Sequence, residues 1–418
     1  MIRAKRIIAG MKKLRPVIWL FACLGLVACT DVQPPVFDDP FPVSVPAGDN
    51  VLGPRLTSGP DGITLLSWMR REEHGATLRF SQLDGDKWLP ASDVVADDKM
   101  FVNWADLPSV MSLGNGRWVS HWLSKSAAAT YAYDIRLAFS ADDGRTWGAA
   151  VRPHRDDTAT EHGFVSIRPD GDSAALLWLD GRETATAEGN QPGGGMTLRA
   201  ATVAPNGDLA GKQLVDDLVC DCCQTDVAVA SKGPVAVYRD RSVEEIRDIY
   251  VTRFIDGAWR PGVAIADDGW EISGCPVNGP AIDADGDLVV VAWFSAANNQ
   301  PVVRAALSTD SGRTFGAPLE IASKGLSGHV GVATIDRTSA AVSWVEADQH
   351  GSHAINLRAI TVSGQLGPVQ TVGRSDLQRI FPQLVRSNDL LILVWTDEIN
   401  DTTRLASVKV PILGFYDR

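Results

Sequence analysis

Short apolar runs that end in an aromatic residue recur along the whole chain, and this repeat constrains the fold more than any other feature. The spacings between successive aromatic residues are 54, 56, 60, 55, 51 and 51. The aromatic residues are Trp68, Trp122, Trp178, Tyr238, Trp293, Trp344 and Trp395. Each run follows an apolar strand pattern and a turn that contains Gly, Asp or Asn, and further strand patterns come after it. Four β-strands in about 50 residues, without helical periodicity, are typical of a propeller blade.

The number of units predicts an all-β protein formed by a single β-propeller with seven four-stranded blades. The seventh unit contains only three strand patterns. The segment FPVSVP at 41–46 precedes the first unit, and we expect it to supply the missing strand of the last blade. This pairing would close the ring without a free strand edge. A six-bladed propeller is the alternative if one unit is irregular.

The N-terminus has the pattern of a lipoprotein signal peptide. Basic residues precede an apolar run at 17–28, which is shorter than the ~20 residues that a membrane-spanning helix needs. The run ends in Leu-Val-Ala before Cys29, which resembles a bacterial lipobox and predicts that Cys29 is lipidated. Thr30, in place of an aspartate, favours the outer membrane of a bacterial cell envelope by resemblance to lipoprotein sorting signals. An ordinary secretory signal is the alternative.

The expected organisation of the chain follows from these two patterns. It consists of a signal peptide at 1–28, the lipidated Cys29 with a Pro/Asp-rich tether at 29–40, and a propeller domain at 41–418.

The charge balance excludes two kinds of partner. The chain has 39 Lys+Arg and 51 Asp+Glu, which gives a net charge of −12. Because residues 1–28 hold six basic and no acidic residues, the remainder carries −18. Nucleic acids and anionic membrane surfaces require clustered Lys and Arg. We therefore expect no nucleic-acid partner, and contact with the membrane through the lipid anchor only.

Two turns between third and fourth strand patterns share the sequence S-x-D-x-G-x-T-aromatic. They lie at 140–147 and 308–315, with a degenerate copy at 81–88 and a shortened one at 256–259. In such a turn the Ser and Asp oxygens can accept backbone N–H groups, and the glycine can take a positive φ. We expect these turns to be structural and to lie on the face opposite the ligand site.

These turns resemble the Asp boxes of the sialidase (neuraminidase) superfamily, and the resemblance spans all repeats, 41–413. The segments CDCCQTD, YRDRSVEEIRDIY and GCPVNGP are also similar to those of bacterial lipoproteins described as exo-α-sialidases. The resemblance implies a glycoside hydrolase that acts on terminal acidic sugars through a tyrosine nucleophile activated by a glutamate. Sialidases are typically six-bladed and carry Arg-Ile-Pro at the first inner strand, where this chain reads Gly-Pro-Arg-Leu at 53–56.

The topology of a propeller predicts which face binds the ligand. Loops between blades share a face with loops between second and third strands, and in this chain these loops are rich in chemically active side chains. The catalytic candidates are Asp106, Glu161 and His162 as acid and base, with Tyr131 taken as the tyrosine that the resemblance implies. The candidates for binding an acidic ligand are Arg182, Arg239, Arg241, Asn278, His329 and Arg379. A buried, structural role is the alternative for each arginine and for His162.

Four cysteines lie in two loops of the same face. Cys220, Cys222 and Cys223 precede the fourth unit, and Cys275 precedes the fifth. In an exported protein we expect disulfides that join the two loops, with three pairings open. A thiolate metal site is the alternative. The histidines do not show metal-ligand spacing, and we expect no cofactor or metal.

Two functions fit this pattern. The first is an exported, sialidase-type glycoside hydrolase. The second is a non-catalytic module of the cell envelope that holds a glycan, a peptide or a partner lipoprotein, and it is favoured by the seven units and the missing Arg-Ile-Pro. A third hypothesis, a metal- or redox-linked periplasmic protein, rests on the cysteines alone. We expect a carbohydrate or other small acidic ligand on the channel face and a monomeric protein.

Overall fold

Seven antiparallel sheets follow one another along the chain, and each is formed by strands that are consecutive in sequence, apart from the N-terminal strands that join the last sheet. The first strands of all seven sheets line one central channel. The computed structural model describes residues 33–185, 194–347, 351–377 and 379–413, and these lie in one unit of the chain, Val32–Arg418. The prediction of a seven-bladed propeller is confirmed. The signal peptide and Cys29 lie outside the described residues.

In blades 1 to 4 the chain runs from the innermost strand to the outermost. Blade 1 contains Val51–Ser58, Thr64–Arg71, Ala76–Asp84, Lys87–Trp88 and Ser92–Asp97. Blade 2 contains Ser109–Gly114, Arg117–Lys125 and Tyr133–Ser140. Blade 3 contains His162–Asp170, Ser173–Asp180, Thr197–Val203 and Leu209–Asp216. Blade 4 contains Asp226–Ala230, Gly233–Arg239, Ile249–Ile255, Ala258–Trp259 and Val263–Ala264.

The remaining blades follow the same order. Blade 5 contains Ala281–Asp285, Leu288–Ser295, Val302–Ser308 and Leu319–Ala322. Blade 6 contains Leu326–Asp336, Ser339–Ala347, His353–Thr361 and Gln370–Ser375. Blade 7 contains Gln383–Ser387, Leu390–Ile399, Thr402–Leu413 and the N-terminal Val36–Phe37 and Phe41–Pro42. Single 3-10 turns lie at Arg182–Thr184 and Ala297–Asn299, and the described residues include no helix with the length and apolar character to cross a bilayer.

The N-terminal segment closes the ring, as predicted. Phe41–Pro42 pair with Lys409 and Val408 of the last strand, and the Val43 N–H donates to the Ser407 carbonyl. Val36–Phe37 pair with the end of the same strand. The propeller therefore begins within the segment that we expected to be a tether, so its start lies before residue 41.

Blade 2 departs from the four-stranded pattern among the described residues. Its fourth position is a single bridge between Leu137 and Val151. The next hydrogen-bonded pair of such a ladder would place Pro153 opposite Ile135. Proline has no N–H to donate, so the fourth strand cannot continue there.

The core lies between neighbouring blades. All seven repeated aromatic residues are at most 4% exposed. Trp344 of blade 6, for example, packs with Leu288 and Val290 of blade 5. Because buried aromatic side chains contribute large apolar areas, one such residue per blade holds successive sheets together.

The two turns with the sequence S-x-D-x-G-x-T-aromatic are structural, as expected. Ser140 Oγ accepts the Gly144 N–H at 2.9 Å, and Asp142 accepts both the N–H and the hydroxyl of Thr146. Gly144 has φ +74°, and a Cβ there would lie 2.7 Å from the Trp118 ring. The turn at 308–315 repeats the same hydrogen bonds. The oxygens of these turns are therefore committed to their own backbone.

Candidate functional site

The central channel has a volume of about 540 Å³ and a polar wall. Arg55 and Asp226 form an ion pair across it, with 3.7 Å between Nη2 and Oδ1. Asp283 accepts the backbone N–H and the hydroxyl of Thr334. Burial raises the pKa of both aspartates. The charged groups of the channel wall are thus engaged with one another or with neighbouring strands.

A tyrosine and two carboxylates meet beside the channel, where the loops of blades 2 and 3 come together. The Tyr133 hydroxyl donates to Glu161 Oε1 at 2.5 Å. Asp106 Oδ2 lies 3.4 Å from the same hydroxyl oxygen, and Asp106 Oδ1 accepts the Phe164 N–H at 2.8 Å. Asp106 and Tyr133 are 2% and 1% exposed, whereas Glu161 is partly exposed.

The surroundings of this group set its protonation. Burial raises the pKa of Asp106 to about 8, despite the Phe164 hydrogen bond, and the nearby Glu161 adds to the rise. Burial also raises the pKa of Glu161 to about 7, and it raises the pKa of Tyr133 well above its usual value. At neutral pH Asp106 therefore carries a proton that it can donate, while Glu161 can accept one from Tyr133.

Asp106 and Glu161 are brought together as the sequence suggested, but the tyrosine beside them is Tyr133 and not Tyr131. Tyr131 is 59% exposed, and its ring lies edge-on to Phe101, with 6.4 Å between centroids. The Tyr133 ring stacks on Phe101, with 4.2 Å between centroids. The reason for the difference is that Tyr133 starts a strand and points to its buried face, whereas Tyr131 lies in the preceding loop.

His162 is fully buried, and its side chain contacts a second set of residues behind this group. Its ring stacks on that of His154, with 3.8 Å between centroids and 4° between planes. Asp156 and Asp180 are the nearest carboxylates to His162 Nε2. His162 therefore does not act on the same atoms as Glu161, although the two residues are adjacent in sequence.

Three of the predicted ligand-binding arginines are held by partners within the chain. Arg182 forms a two-point ion pair with Asp180. Arg239 is 2% exposed and donates to the carbonyls of Asn278, Arg247 and Phe294. Arg241 contacts Glu245 and Asp221. A buried guanidinium needs acceptors for its donors, and these partners supply them.

Asn278 and His329 also join loops of neighbouring blades. Asn278 Oδ1 accepts the His329 N–H at 2.8 Å. Burial lowers the pKa of His329 to about 4, so its imidazole is neutral at neutral pH. Its ring packs against Phe381, with 4.2 Å between centroids.

Arg379 is the predicted arginine that remains available at the surface. Its guanidinium lies over the Trp104 ring, 5.2 Å from the centroid, and it has no ion pair with the described residues. It lines a pocket of about 120 Å³ together with Gly53, Leu107 and Phe381. Trp104 belongs to the same loop as Asp106, so this pocket opens on the face that carries the tyrosine and the two carboxylates.

The four cysteines form two disulfides. This arrangement is one of the three pairings that the sequence leaves open. Cys220 pairs with Cys223, with a Cα–Cα distance of 5.8 Å. Cys222 pairs with Cys275, with a Cα–Cα distance of 6.1 Å. The second disulfide joins the loops before blades 4 and 5, as expected, and closes a long segment of chain. Such bridges typically stabilise a fold by about 2–4 kcal/mol.

Sequence comparisons find no relative: no family model matches the chain, and no curated protein matches it. Structural comparison finds the BP39L lectin from Burkholderia pseudomallei, with TM-score 0.59 and 11% identity over 88% of this chain and 97% of the lectin. It also finds a protein of unknown function from Dyadobacter fermentans, with TM-score 0.51 and 11% identity over 91% and 100% of the two chains.

The polysaccharide lyase Uly1 matches as well, with TM-score 0.50 and 9% identity over 87% of this chain and 90% of the lyase. Sialidases are among the further matches, at TM-scores of 0.45 and below. At such identities a match shows the fold and not the family or the substrate. This chain therefore shares its fold with a lectin and a polysaccharide lyase.

Proposed function

We propose that this protein is an exported glycoside hydrolase in which Tyr133 is the nucleophile. The single observation that carries the proposal is the 2.5 Å hydrogen bond from the Tyr133 hydroxyl to Glu161, with Asp106 beside the same hydroxyl. A tyrosine hydroxyl is a weak nucleophile unless an adjacent base takes its proton. Glu161 is such a base.

The proposed reaction has two steps. In the first, the tyrosine oxygen bonds to the anomeric carbon as its proton passes to Glu161, and Asp106 protonates the leaving oxygen as the glycosidic bond breaks. In the second, Asp106 takes a proton from water, the water oxygen bonds to the anomeric carbon, and the tyrosine oxygen leaves and regains its proton from Glu161. The configuration is retained, because the carbon is displaced twice.

A terminal acidic sugar is the substrate class that the surface favours. Arg379 carries an exposed guanidinium over Trp104, which together can bind a carboxylate and pack against a sugar ring. The Asp-box resemblance to sialidases points to the same class. Because Tyr133 is 1% exposed, the segment around the exposed Tyr131 has to move aside when the sugar binds.

The test is hydrolysis of a fluorogenic sialoside panel, followed by a wider glycoside panel, by purified residues 30–418. Tyr133→Phe and Glu161→Gln are expected to lower kcat by about 100-fold or more while binding persists. Asp310→Ala, in an Asp-box turn, is the folded control and should keep its turnover. Turnover in Tyr133→Phe equal to that of the wild type would overturn the mechanism.

A non-catalytic carbohydrate-binding module is the second candidate. It is favoured by the burial of Tyr133 and by the internal partners of Arg182, Arg239 and Arg241. If no substrate of the panels is hydrolysed but a glycan binds, and Arg379→Ala weakens that binding, this second function replaces the first.

We also propose that the mature chain is anchored to the bacterial outer membrane through lipidated Cys29. The lipobox-like Leu-Val-Ala-Cys at 26–29 and the following Thr30 support this location. Cys29→Ser should release the protein from membranes or leave it unprocessed. A processed, lipid-labelled Cys29→Ser protein in the membrane fraction would refute the anchor.

A further inference from the structure

We propose that His154, His162 and Asp134 form a buried binding site for a divalent transition-metal ion, of which zinc is the first to test. The site lies between blades 2 and 3, behind the Tyr133–Glu161 pair, and none of its side chains takes part in the proposed reaction. The proposal is independent of catalysis and holds even if the protein only binds carbohydrate.

Each of the two histidines has one ring nitrogen, Nε2, without a hydrogen-bond partner among the described residues. The side chains of His154 and His162 are 1% and 0% exposed. A buried polar atom without a partner is costly in free energy, and a metal ion is one group that would satisfy both nitrogens at once.

The other nitrogen of each ring is already held, as metal-binding histidines require. His162 Nδ1 lies 3.2 Å from the Tyr133 carbonyl oxygen, and His154 Nδ1 lies 3.2 Å from Asp156 Oδ2. If each Nδ1 carries the proton and donates it to that oxygen, each Nε2 is left with a free lone pair. A second hydrogen bond of this kind fixes the ring orientation of a metal ligand.

Carboxylate oxygens complete the donor set. Asp134 Oδ1 lies 3.8 Å from His154 Nε2, while Arg136 and Arg152 both contact the other oxygen, Oδ2. One carboxylate oxygen of Asp134 and one ring nitrogen of each of His154 and His162 lie within 4.8 Å of one another. Because the two rings are stacked in parallel planes, one imidazole has to rotate out of the stack before both nitrogens reach the ~2.0–2.2 Å of a zinc bond.

A second group of carboxylates approaches His162 from the other side. Asp156 Oδ1 and Asp180 Oδ1 lie 3.2 and 3.7 Å from His162 Nε2. The first contact is an ion pair whenever His162 is protonated. Each of these oxygens already accepts two hydrogen bonds, Asp156 Oδ1 from Thr158 and Asp180 Oδ1 from Arg182. One of these bonds has to give way before either oxygen becomes the fourth ligand. Arg182 donates to both oxygens of Asp180 and contacts Asp156 Oδ2, so it holds both carboxylates in place.

The competing explanation is a plain ion pair between a protonated His162 and Asp156, and metal analysis separates the two. Tag-free residues 30–418, with disulfides intact, are treated with EDTA, dialysed against ZnCl₂ and then against buffer. We expect one zinc per chain by elemental analysis, and a thermal midpoint at least about 3 °C above that of the EDTA-treated protein. Less than about 0.2 zinc per chain with an unchanged midpoint would overturn the proposal.

Variants locate the ion. His154→Gln and Asp134→Asn should each lose the zinc and the midpoint shift. His353→Gln, which changes a buried histidine of blade 6, and the double variant Cys222→Ser, Cys275→Ser should keep both. Zinc that persists in the first pair, or disappears from the cysteine variant, contradicts the site.

If the histidine and aspartate variants do not fold, X-ray absorption of the zinc-loaded wild type gives the answer. A first shell of nitrogen and oxygen with imidazole scattering supports the site. A shell that contains sulfur places the ion on the cysteines and overturns the proposal.

Discussion

At the scale of single residues, Asp106 shows how one environment sets both reactivity and stability. The pKa of its carboxyl is raised from 3.8 to about 8 by burial. Above pH ~4 the unfolded chain releases this proton, whereas the folded protein keeps it until about pH 8. Asp106 therefore lowers the stability of the folded state progressively as the pH rises through this window.

Asp106→Asn removes this cost, because the amide has no proton to lose. We expect the variant to unfold at higher urea concentration than the wild type at pH 8, by at least about 1 kcal/mol in unfolding free energy, and to gain little at pH 4.5. It should also lose turnover, because the general acid is gone. A stability difference that is the same at both pH values would contradict the raised pKa.

The sequence pointed to Asp106, Glu161 and Tyr131, and the structure places Tyr133, not Tyr131, beside the two carboxylates. A usable signal was present: Tyr133 alternates with Ile135, Leu137 and Phe139, which all face one buried cluster. Tyr131 falls outside this strand. The arginines were less predictable, because their partners, such as Asn278 and Phe294 for Arg239, come from other blades.

At the scale of elements, we expect the two S-x-D-x-G-x-T-aromatic turns to act on stability and not on ligand binding. Asp310 accepts hydrogen bonds from Ser308 and, twice, from Thr314. We expect Asp310→Ala to lower the unfolding free energy by about 1–2 kcal/mol and to leave the ligand affinity unchanged. Unfolding in urea and ligand titration measure the two quantities.

The effect of Asp310→Ala should depend on pH with the opposite sign to that of Asp106. Although burial raises the pKa of Asp310, the hydrogen bonds from Thr314, Ser308 and Arg313 together lower it by more. The stabilisation is therefore complete above pH ~4 and disappears as the pH falls further. A gap between wild type and variant that stays constant from pH 7 to pH 2.5 would contradict this account.

Elements were predicted well wherever a local pattern determines them. The seven aromatic positions mark seven second strands, and the turn at 140–147 forms as its residues require. The truncated outer edge of blade 2 was missed, although Pro153 signals it. The spacing of His154, His162 and Asp134 in the sequence does not predict that they cluster. The cluster forms only when blade 2 packs against blade 3.

At the scale of the whole molecule, stability depends on closing the ring. Deletion of residues 30–43 removes both N-terminal strands from blade 7 and exposes the edge of its long third strand. We expect a thermal midpoint lowered by at least about 5 °C and a tendency to aggregate. Deletion of residues 30–33, which precede the first strand, is the control and should behave as the wild type. Equal midpoints for the two deletions would show that closure does not stabilise the propeller.

The count of blades was predictable because the same unit is repeated seven times, so each copy supports the others. The contacts that build the site are not repeated. They depend on which loops meet between neighbouring blades, as when Tyr133 of blade 2 meets Glu161 at the start of blade 3.

The most direct test of the catalytic claim is to identify the residue that becomes covalently attached to the sugar. The wild type and Tyr133→Phe are incubated with an activated fluoroglycoside of the best substrate of the panels, which slows hydrolysis of the glycosyl–enzyme intermediate. Peptide mass spectrometry then locates the adduct. The account predicts one adduct on Tyr133 in the wild type and none in the variant. An adduct on another residue, or substrate turnover without an adduct on Tyr133, would contradict it.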